Sequence, residues 1–128
     1  TQGTFEGFSL QYILGQIFRF FAFAIGINWN ESLLVGSLLG QKFVINEFVG
    51  YLSLAEMKAS GALSERAIMI STYALCGFAN LSSIGIQIGG IGVMAPERRG
   101  DLSLLGFRAL IGASLATLMT AAIAGAIF

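Results

Sequence analysis

Gly40-Gln-Lys-Phe-Val-Ile-Asn-Glu-Phe-Val-Gly-Tyr51 lies within an apolar stretch, residues 32–55, that is nearly long enough to cross a membrane as one helix. Lys42 and Glu47 make a straight crossing unfavourable, because Lys costs about 2.5–3.5 kcal/mol at the centre of an inserted helix and Glu a comparable amount. Two short arms, 31 to about 42 and about 47 to 58, with a β-branched break at 43–46, have the length of re-entrant segments. The stretch therefore predicts a re-entrant helical hairpin over residues 31–58, whose tip carries Asn46 and Glu47 to the middle of the membrane.

The composition of the whole chain indicates a membrane protein. Charged residues make up 11% of the 128 residues, against about 25% in a typical soluble domain, and the mean hydropathy is +0.80. Seven basic and seven acidic residues leave no net charge, so nucleic-acid binding is not expected. The chain has no His, which excludes histidine-dependent catalysis and histidine-ligated metals. We expect neither an enzyme nor a protein with a cofactor or metal, and the partners are lipid and a small ligand.

Two further apolar segments, 67–96 and 109–128, are long enough to cross a hydrocarbon core of about 30 Å. They predict a transmembrane helix over 64–95 and a final one over 102–128, joined by a polar loop whose Arg98 and Arg99 favour the cytoplasmic side. Upstream, the aromatic residues of segment 1–27 are interrupted by Gln and Arg, which favours an interfacial helix leading into the hairpin, with a full crossing over 8–27 as the alternative. Because Thr1 is not an initiator Met, we expect a fragment.

The segment Gly77-Phe-Ala-Asn-Leu-Ser-Ser83 places polar groups in the middle of the first crossing. In lipid such a cluster is expected only where protein or a water-filled cavity covers it, as in a discontinuous helix that lines a site. The alternative is a polar seam between helices, since Gly85 and Gly89 have the small-xxx-small spacing. Both interpretations remain open at this point.

The polar side chains of the hairpin tip and of the helix break form a candidate ligand site. Glu47, Asn80, Ser82 and Ser83 offer the acceptors and donors that suit a neutral, polyhydroxylated ligand. An intramembrane carboxylate is functional by default, although Glu47 could instead form an ion pair with Lys42. Asn80 and Ser83 could equally hydrogen-bond one helix to another.

Three blocks of sequence, at residues 40–51, 73–90 and 96–102, resemble the C-terminal region of the concentrative nucleoside transporters. They include Asn46-Glu-Phe-Val49 and Gly77-Phe-Ala-Asn-Leu-Ser-Ser-Ile-Gly85. The resemblance covers nearly the whole chain. It departs from the family's usual pattern at Arg19-Phe-Phe-Ala-Phe23 and Gly26-Ile-Asn-Trp29, where the hairpin begins.

The resemblance implies both a fold and a site. The fold is an all-α membrane protein with an interfacial helix, a re-entrant helical hairpin, a discontinuous transmembrane helix and a final transmembrane helix. By this resemblance Glu47 binds ribose hydroxyls, Asn80 and Ser83 contact the ribose, and Phe78 lies beside the base. Family members are homotrimers that use a Na⁺ or H⁺ gradient, and the coupling ion binds mainly outside the part that this chain resembles. The resemblance therefore implies a multi-pass protein of the bacterial inner membrane whose partners are a nucleoside and the rest of the transporter.

Two other functions remain compatible with the residues. One is a small non-transporting membrane subunit that packs into a larger complex through its Gly-rich helix faces. The other is a channel-like oligomer lined by Asn80 and Ser83. Nucleoside affinity distinguishes the transporter from the subunit, and steady non-saturable conductance identifies the channel.

Overall fold

The computed structural model describes residues 9–128, and within that range every regular element is a helix. The predicted all-α architecture is therefore confirmed. Part of the predicted interfacial segment 1–27, namely residues 1–8, lies outside the described residues. Short connections separate the α-helices, and one 3-10 turn at Pro96–Arg98 precedes the last helix. The helices are α1 Leu10–Ala24, α2 Trp29–Val44, α3 Glu47–Ala59, α4 Glu65–Leu75, α5 Leu81–Met94 and α6 Arg99–Ile127.

The α1–α2 corner contains the residues that depart from the family pattern. Helix α2 is turned by 117° from α1, and Gly26 in the turn adopts a φ of +101°, which Gly reaches without steric strain. The Arg19 guanidinium lies 3.8 Å from the centre of the Trp29 ring and donates a hydrogen bond to Ser32 Oγ at 3.2 Å. Helices α1 and α2 touch at Gly36, where a Cβ would lie 2.6 Å from the Gly15 carbonyl oxygen. The corner is thus held by stacking, hydrogen bonding and close backbone contact.

Helices α2 and α3 form a helix–break–helix unit with only Ile45 and Asn46 between them. Asn46 is extended, and its side chain accepts a hydrogen bond from the backbone N–H of Val49 at 3.0 Å, which caps the start of α3. The break is shorter than the segment 43–46 expected from the sequence, because α2 continues through Val44. Glu47 is consequently the first residue of α3.

The second interruption separates α4 from α5 at residues 76–80. Ser64 caps the start of α4, and Asn80 begins α5 with a capping box. In that box the Asn80 Oδ1 accepts from the Ser83 N–H at 2.8 Å, and the Asn80 N–H donates to Ser83 Oγ at 3.4 Å. Helix α6 begins at Arg99, just after the 3-10 turn that Pro96 opens. Among the described residues, Pro96–Ile127 is the one helical segment long and apolar enough to cross a membrane by itself.

The core forms where α2, α4 and α6 meet. Its fully buried side chains include Val35, Leu38, Ile70, Leu75 and Ala121. At one end of the bundle Glu31 accepts hydrogen bonds from the Ser64 N–H at 2.5 Å and its Oγ at 3.0 Å, and Arg66 donates to the Gly125 carbonyl at 2.6 Å. These contacts hold the starts of α2 and α4 and the end of α6 together.

Candidate functional site

The two helix breaks lie side by side, and one side-chain hydrogen bond joins them. Asn80 Nδ2 donates to Glu47 Oε2 at 2.9 Å, across 33 positions of sequence. Asn80 is fully buried, and Glu47 is half-buried. The bond joins the first residue of α3 to the N-cap of α5, so the positive ends of two helix dipoles point at this pair.

The serines of the predicted site surround the same pair. Ser82 Oγ lies 2.6 Å from Asn80 Oδ1 and 3.2 Å from the Ile45 carbonyl oxygen, so it reaches both breaks. Ser83 is buried, and its Oγ donates to the Asn80 carbonyl at 2.6 Å. The structure therefore brings Glu47, Asn80, Ser82 and Ser83 together, as one cluster of hydroxyl, amide and carboxylate groups.

Phe78, the aromatic residue of the predicted site, projects from the α4–α5 break and is 67% exposed. It lines a groove of about 90 Å³ between α5 and α6, which Ser83 also lines. Small residues of α6, among them Gly106 and Ala109, form the opposite wall. Phe78 thus offers an open ring face next to the polar cluster.

The C-terminal end of α4, on the other side of the break, is capped by side chains of α2 and α3. The last carbonyls of a helix have no partner inside that helix. Here Lys42 Nζ from α2 donates to the Ala74 carbonyl at 3.0 Å, and the Tyr51 hydroxyl from α3 donates to the Thr72 carbonyl at 2.9 Å. Sequence reasoning does not predict these two roles, because neither residue type indicates which distant carbonyl it will meet.

The alternative partner for Glu47, an ion pair with Lys42, does not form in the structure. Within residues 9–128 the ion pair closer than 4.0 Å is Arg98–Asp101 at 2.8 Å, in the exposed connection before α6. The same described residues contain no cluster of three or more Cys, Asp or Glu side chains that could hold a metal. What the described side chains of this site offer for hydrogen bonding is one carboxylate, one amide and two hydroxyls.

Comparison with known proteins identifies the family of the chain. The family model described as the Na⁺ dependent nucleoside transporter C-terminus matches residues 1–125. The uncharacterized transporter YutK of Bacillus subtilis is 47% identical over 120 residues, and the putative nucleoside permease NupX of Escherichia coli is 44% identical over 122 residues. Both matches cover 94% of this chain and 29% of the relative. Sodium/nucleoside cotransporter 1 of Rattus norvegicus is 41% identical over 136 residues, which is 96% of this chain and 21% of that protein.

Solved structures of a protein named CNTnw also match this chain. CNTnw in an inward-facing substrate-bound state matches with a TM-score of 0.84 and 48% identity, over 91% of this chain and 29% of that chain. A CNTnw variant in an outward-facing state matches with a TM-score of 0.83 and 47% identity, over 91% of this chain and 28% of that chain. The chain thus spans less than a third of the length of these relatives. Its family is one of membrane transporters and not of enzymes, and the chain belongs to the Na⁺-dependent nucleoside transporters, whose C-terminal region it matches.

Proposed function

We propose that this chain supplies the ribose-binding half of the substrate site in an ion-coupled nucleoside symporter of the cytoplasmic membrane, driven by Na⁺ or H⁺. The observation that carries the proposal is the Glu47–Asn80 hydrogen bond of 2.9 Å between the two helix breaks. A carboxylate accepts hydrogen bonds from two hydroxyls, and an amide both donates and accepts, which suits the vicinal diol of a ribose.

The helix lengths support a re-entrant hairpin. At 1.5 Å per residue, α2 with 16 residues and α3 with 13 residues are about 24 Å and 20 Å long. Both are shorter than the hydrocarbon core of about 30 Å, so each arm ends inside the membrane if it begins at the surface. Helices α4 and α5, with 11 and 14 residues, cross only as two halves of one broken helix. The tip of the hairpin and the break then meet at mid-depth, where transporters bind their substrates.

Substrate binding requires the polar cluster to open. Asn80 is fully buried, and its amide is already hydrogen-bonded to Glu47, so the ribose replaces this contact and bridges the two side chains. Ser83 keeps α5 capped and lends the site a further hydroxyl oxygen. The open ring of Phe78 then lies beside the apolar face of the base.

The remaining parts of the proposal concern the larger assembly. Because the chain spans less than a third of the relatives, the base-reading half and most ligands of the coupling ion belong to the rest of the transporter. The assembly is a multi-pass homotrimer of the bacterial inner membrane. TM-scores of 0.84 and 0.83 against inward-facing and outward-facing states support a hairpin and a broken helix that keep their arrangement during alternating access.

The test is uptake of radiolabelled uridine by the full-length gene product that contains this chain, reconstituted in liposomes with imposed Na⁺ or proton gradients. Saturable uptake under one gradient supports the symporter and identifies the coupling ion. Absence of uptake, with the protein present in the membrane, contradicts the proposal and favours the non-transporting subunit. Non-saturable conductance favours the channel lined by Asn80 and Ser83.

A further inference from the structure

Lys42 is the one charged side chain that is buried in the described part of the chain, and the proposed substrate site does not use it. Its side chain is 5% exposed, although Lys is almost never fully buried unless it is paired. None of the carboxylates in residues 9–128 lies within ion-pair distance of it. The contact that Lys42 does make is the hydrogen bond from Nζ to the Ala74 carbonyl, across 32 positions of sequence.

The position of this contact suggests what the charge does. The Ala74 carbonyl belongs to the last turn of α4, where unpaired carbonyls concentrate the negative end of the helix dipole. All four final carbonyls of α4 are paired. Those of Thr72 and Ala74 accept from Tyr51 and Lys42 of the hairpin, and those of Tyr73 and Leu75 accept from backbone N–H groups within the break. Lys42 supplies the only charged donor of this set.

The ammonium also lies against the break itself. A Cβ placed on Gly77 would be 3.5 Å from Lys42 Nζ, so the backbone of the break passes directly over the charge. Two tight backbone hydrogen bonds of 2.8 Å, from Gly77 N to Leu75 O and from Ala79 N to Gly77 O, continue from there toward Asn80. A displacement of the ammonium would therefore be transmitted to the N-cap of α5.

In broken helices of transporters, the C-terminal ends of half-helices and the unwound carbonyls coordinate the transported cation. We propose that the Lys42 ammonium is a built-in cation that takes this place at the α4–α5 break, and that it is a positioning residue for Asn80. The part of the inference that concerns Asn80 rests on the proposed nucleoside site. The part that concerns the cation site does not, because it is a property of the break without substrate.

The test removes the ammonium and returns it from solution. In the full-length gene product, Lys42→Ala leaves space beside the Ala74 carbonyl for ethylammonium, whose N–H groups can donate to that carbonyl. Tetramethylammonium carries the same charge but has no N–H group, so it serves as the control salt. Without nucleoside, the melting temperature of the purified variant is expected to rise when ethylammonium is added and not when tetramethylammonium is added at the same concentration. Wild type and Lys58→Ala, which removes an exposed lysine of the second hairpin arm, are expected to respond equally to both salts. Equal responses of Lys42→Ala to the two salts overturn the built-in cation.

Uridine affinity tests the positioning role separately. Loss of a charge-assisted hydrogen bond predicts that Lys42→Ala weakens uridine binding by about ten- to a hundredfold. Ethylammonium is expected to restore part of that loss. Lys42→Met keeps the length of the side chain without its charge, and it provides the comparison of uridine affinity with wild type, without ethylammonium, if the Ala variant does not fold. If the uridine affinity of Lys42→Met is within twofold of wild type, the positioning role is overturned. If the wild-type protein binds no uridine, the proposed function is contradicted, and the melting temperatures alone decide whether Lys42 acts as the built-in cation.

Discussion

Replacement of Glu47 by Gln tests the ribose site most directly, because it removes the charge and keeps the shape. The new amide oxygen can still accept from Asn80 Nδ2, which Glu47 Oε2 meets at 2.9 Å. The cap of α3 is formed by Asn46 and is unaffected. The protein is therefore expected to fold normally, and the loss is confined to the hydrogen bonds between the carboxylate and the ligand.

The size of the effect follows from the change in acceptor. A hydrogen bond to a charged group contributes about 1.5–3 kcal/mol and one to a neutral group about 0.5–1.5 kcal/mol, so the charge contributes about 1–1.5 kcal/mol to each bond. With two ribose hydroxyls on the carboxylate, Glu47→Gln loses about 2–3 kcal/mol, which corresponds to a roughly 30- to 150-fold weaker Kd for uridine. Glu47→Ala is expected to abolish saturable uptake, because it also leaves the buried Asn80 amide without its acceptor.

The assay is saturable uptake and equilibrium binding of labelled uridine by the full-length gene product, at equal amounts in the membrane. Glu56→Gln, which neutralises an exposed acid on the same helix, is the matched control and should retain wild-type affinity. Asn80→Asp should be as harmful as Glu47→Gln, because it sets two carboxylates against each other. Combining the two substitutions recreates one amide and one acid and should recover part of the affinity. Wild-type KM in Glu47→Gln, or no recovery in the double variant, would refute the paired site.

Other substitutions test the packing that positions the site. Gly36→Ala places a Cβ 2.6 Å from a backbone oxygen of α1 and is expected to cost about 1–3 kcal/mol of stability. Gly85→Ala in α5 meets nothing within 4 Å and should not lower the melting temperature, since Ala favours a helix more than Gly does. Gly77→Ala places its Cβ 2.6 Å from Thr117 Oγ1, so it should lower the melting temperature, and Thr117→Ala in the same molecule should recover part of that loss. Arg66→Met removes a hydrogen bond to the end of α6 and should cost about 1.5 kcal/mol in thermal denaturation, the lower end for a charged donor because Arg66 is exposed.

The positions of the helix breaks could be predicted from the sequence, because a charge or a polar cluster has few acceptable positions in a membrane. Lys42 and Glu47 inside an apolar stretch predict an interruption between them, and the structure has it at Ile45 and Asn46. The Asn and Ser residues of segment 77–83 predict a break that the structure places at 76–80. Both breaks can be predicted from a short stretch of sequence, because the N-cap residue and the backbone N–H that it caps lie only three positions apart.

The contacts between elements were not predictable in this way. Lys42 meets a carbonyl 32 positions away, and Glu31 meets a serine 33 positions away, and no local pattern encodes either pairing. The pairing of Glu47 with Asn80 is likewise long-range. The chemistry of the two side chains predicts a site for a polyhydroxylated ligand, whereas their role toward ribose is implied by the resemblance to a family. The roles of Phe78 and Ser83 toward a nucleoside remain predictions for the same reason.

Helices α2 and α3, the proposed hairpin, contact both sides of the α4–α5 break, but a ligand can replace only one of the two sets of contacts. On the α4 side, Lys42 and Tyr51 pair with backbone carbonyls that have no other partner in the helix, so opening there leaves these carbonyls unsatisfied, which is costly wherever water does not reach them. On the α5 side, Glu47 pairs with a side-chain amide, and a ligand hydroxyl can replace either partner. The hairpin is therefore expected to stay attached to α4 while its tip exchanges Asn80 for substrate. Glu47 lies between Lys42 and Tyr51 in the sequence, so the exchange is expected to be a movement of the Glu47 side chain between two contacts that stay in place.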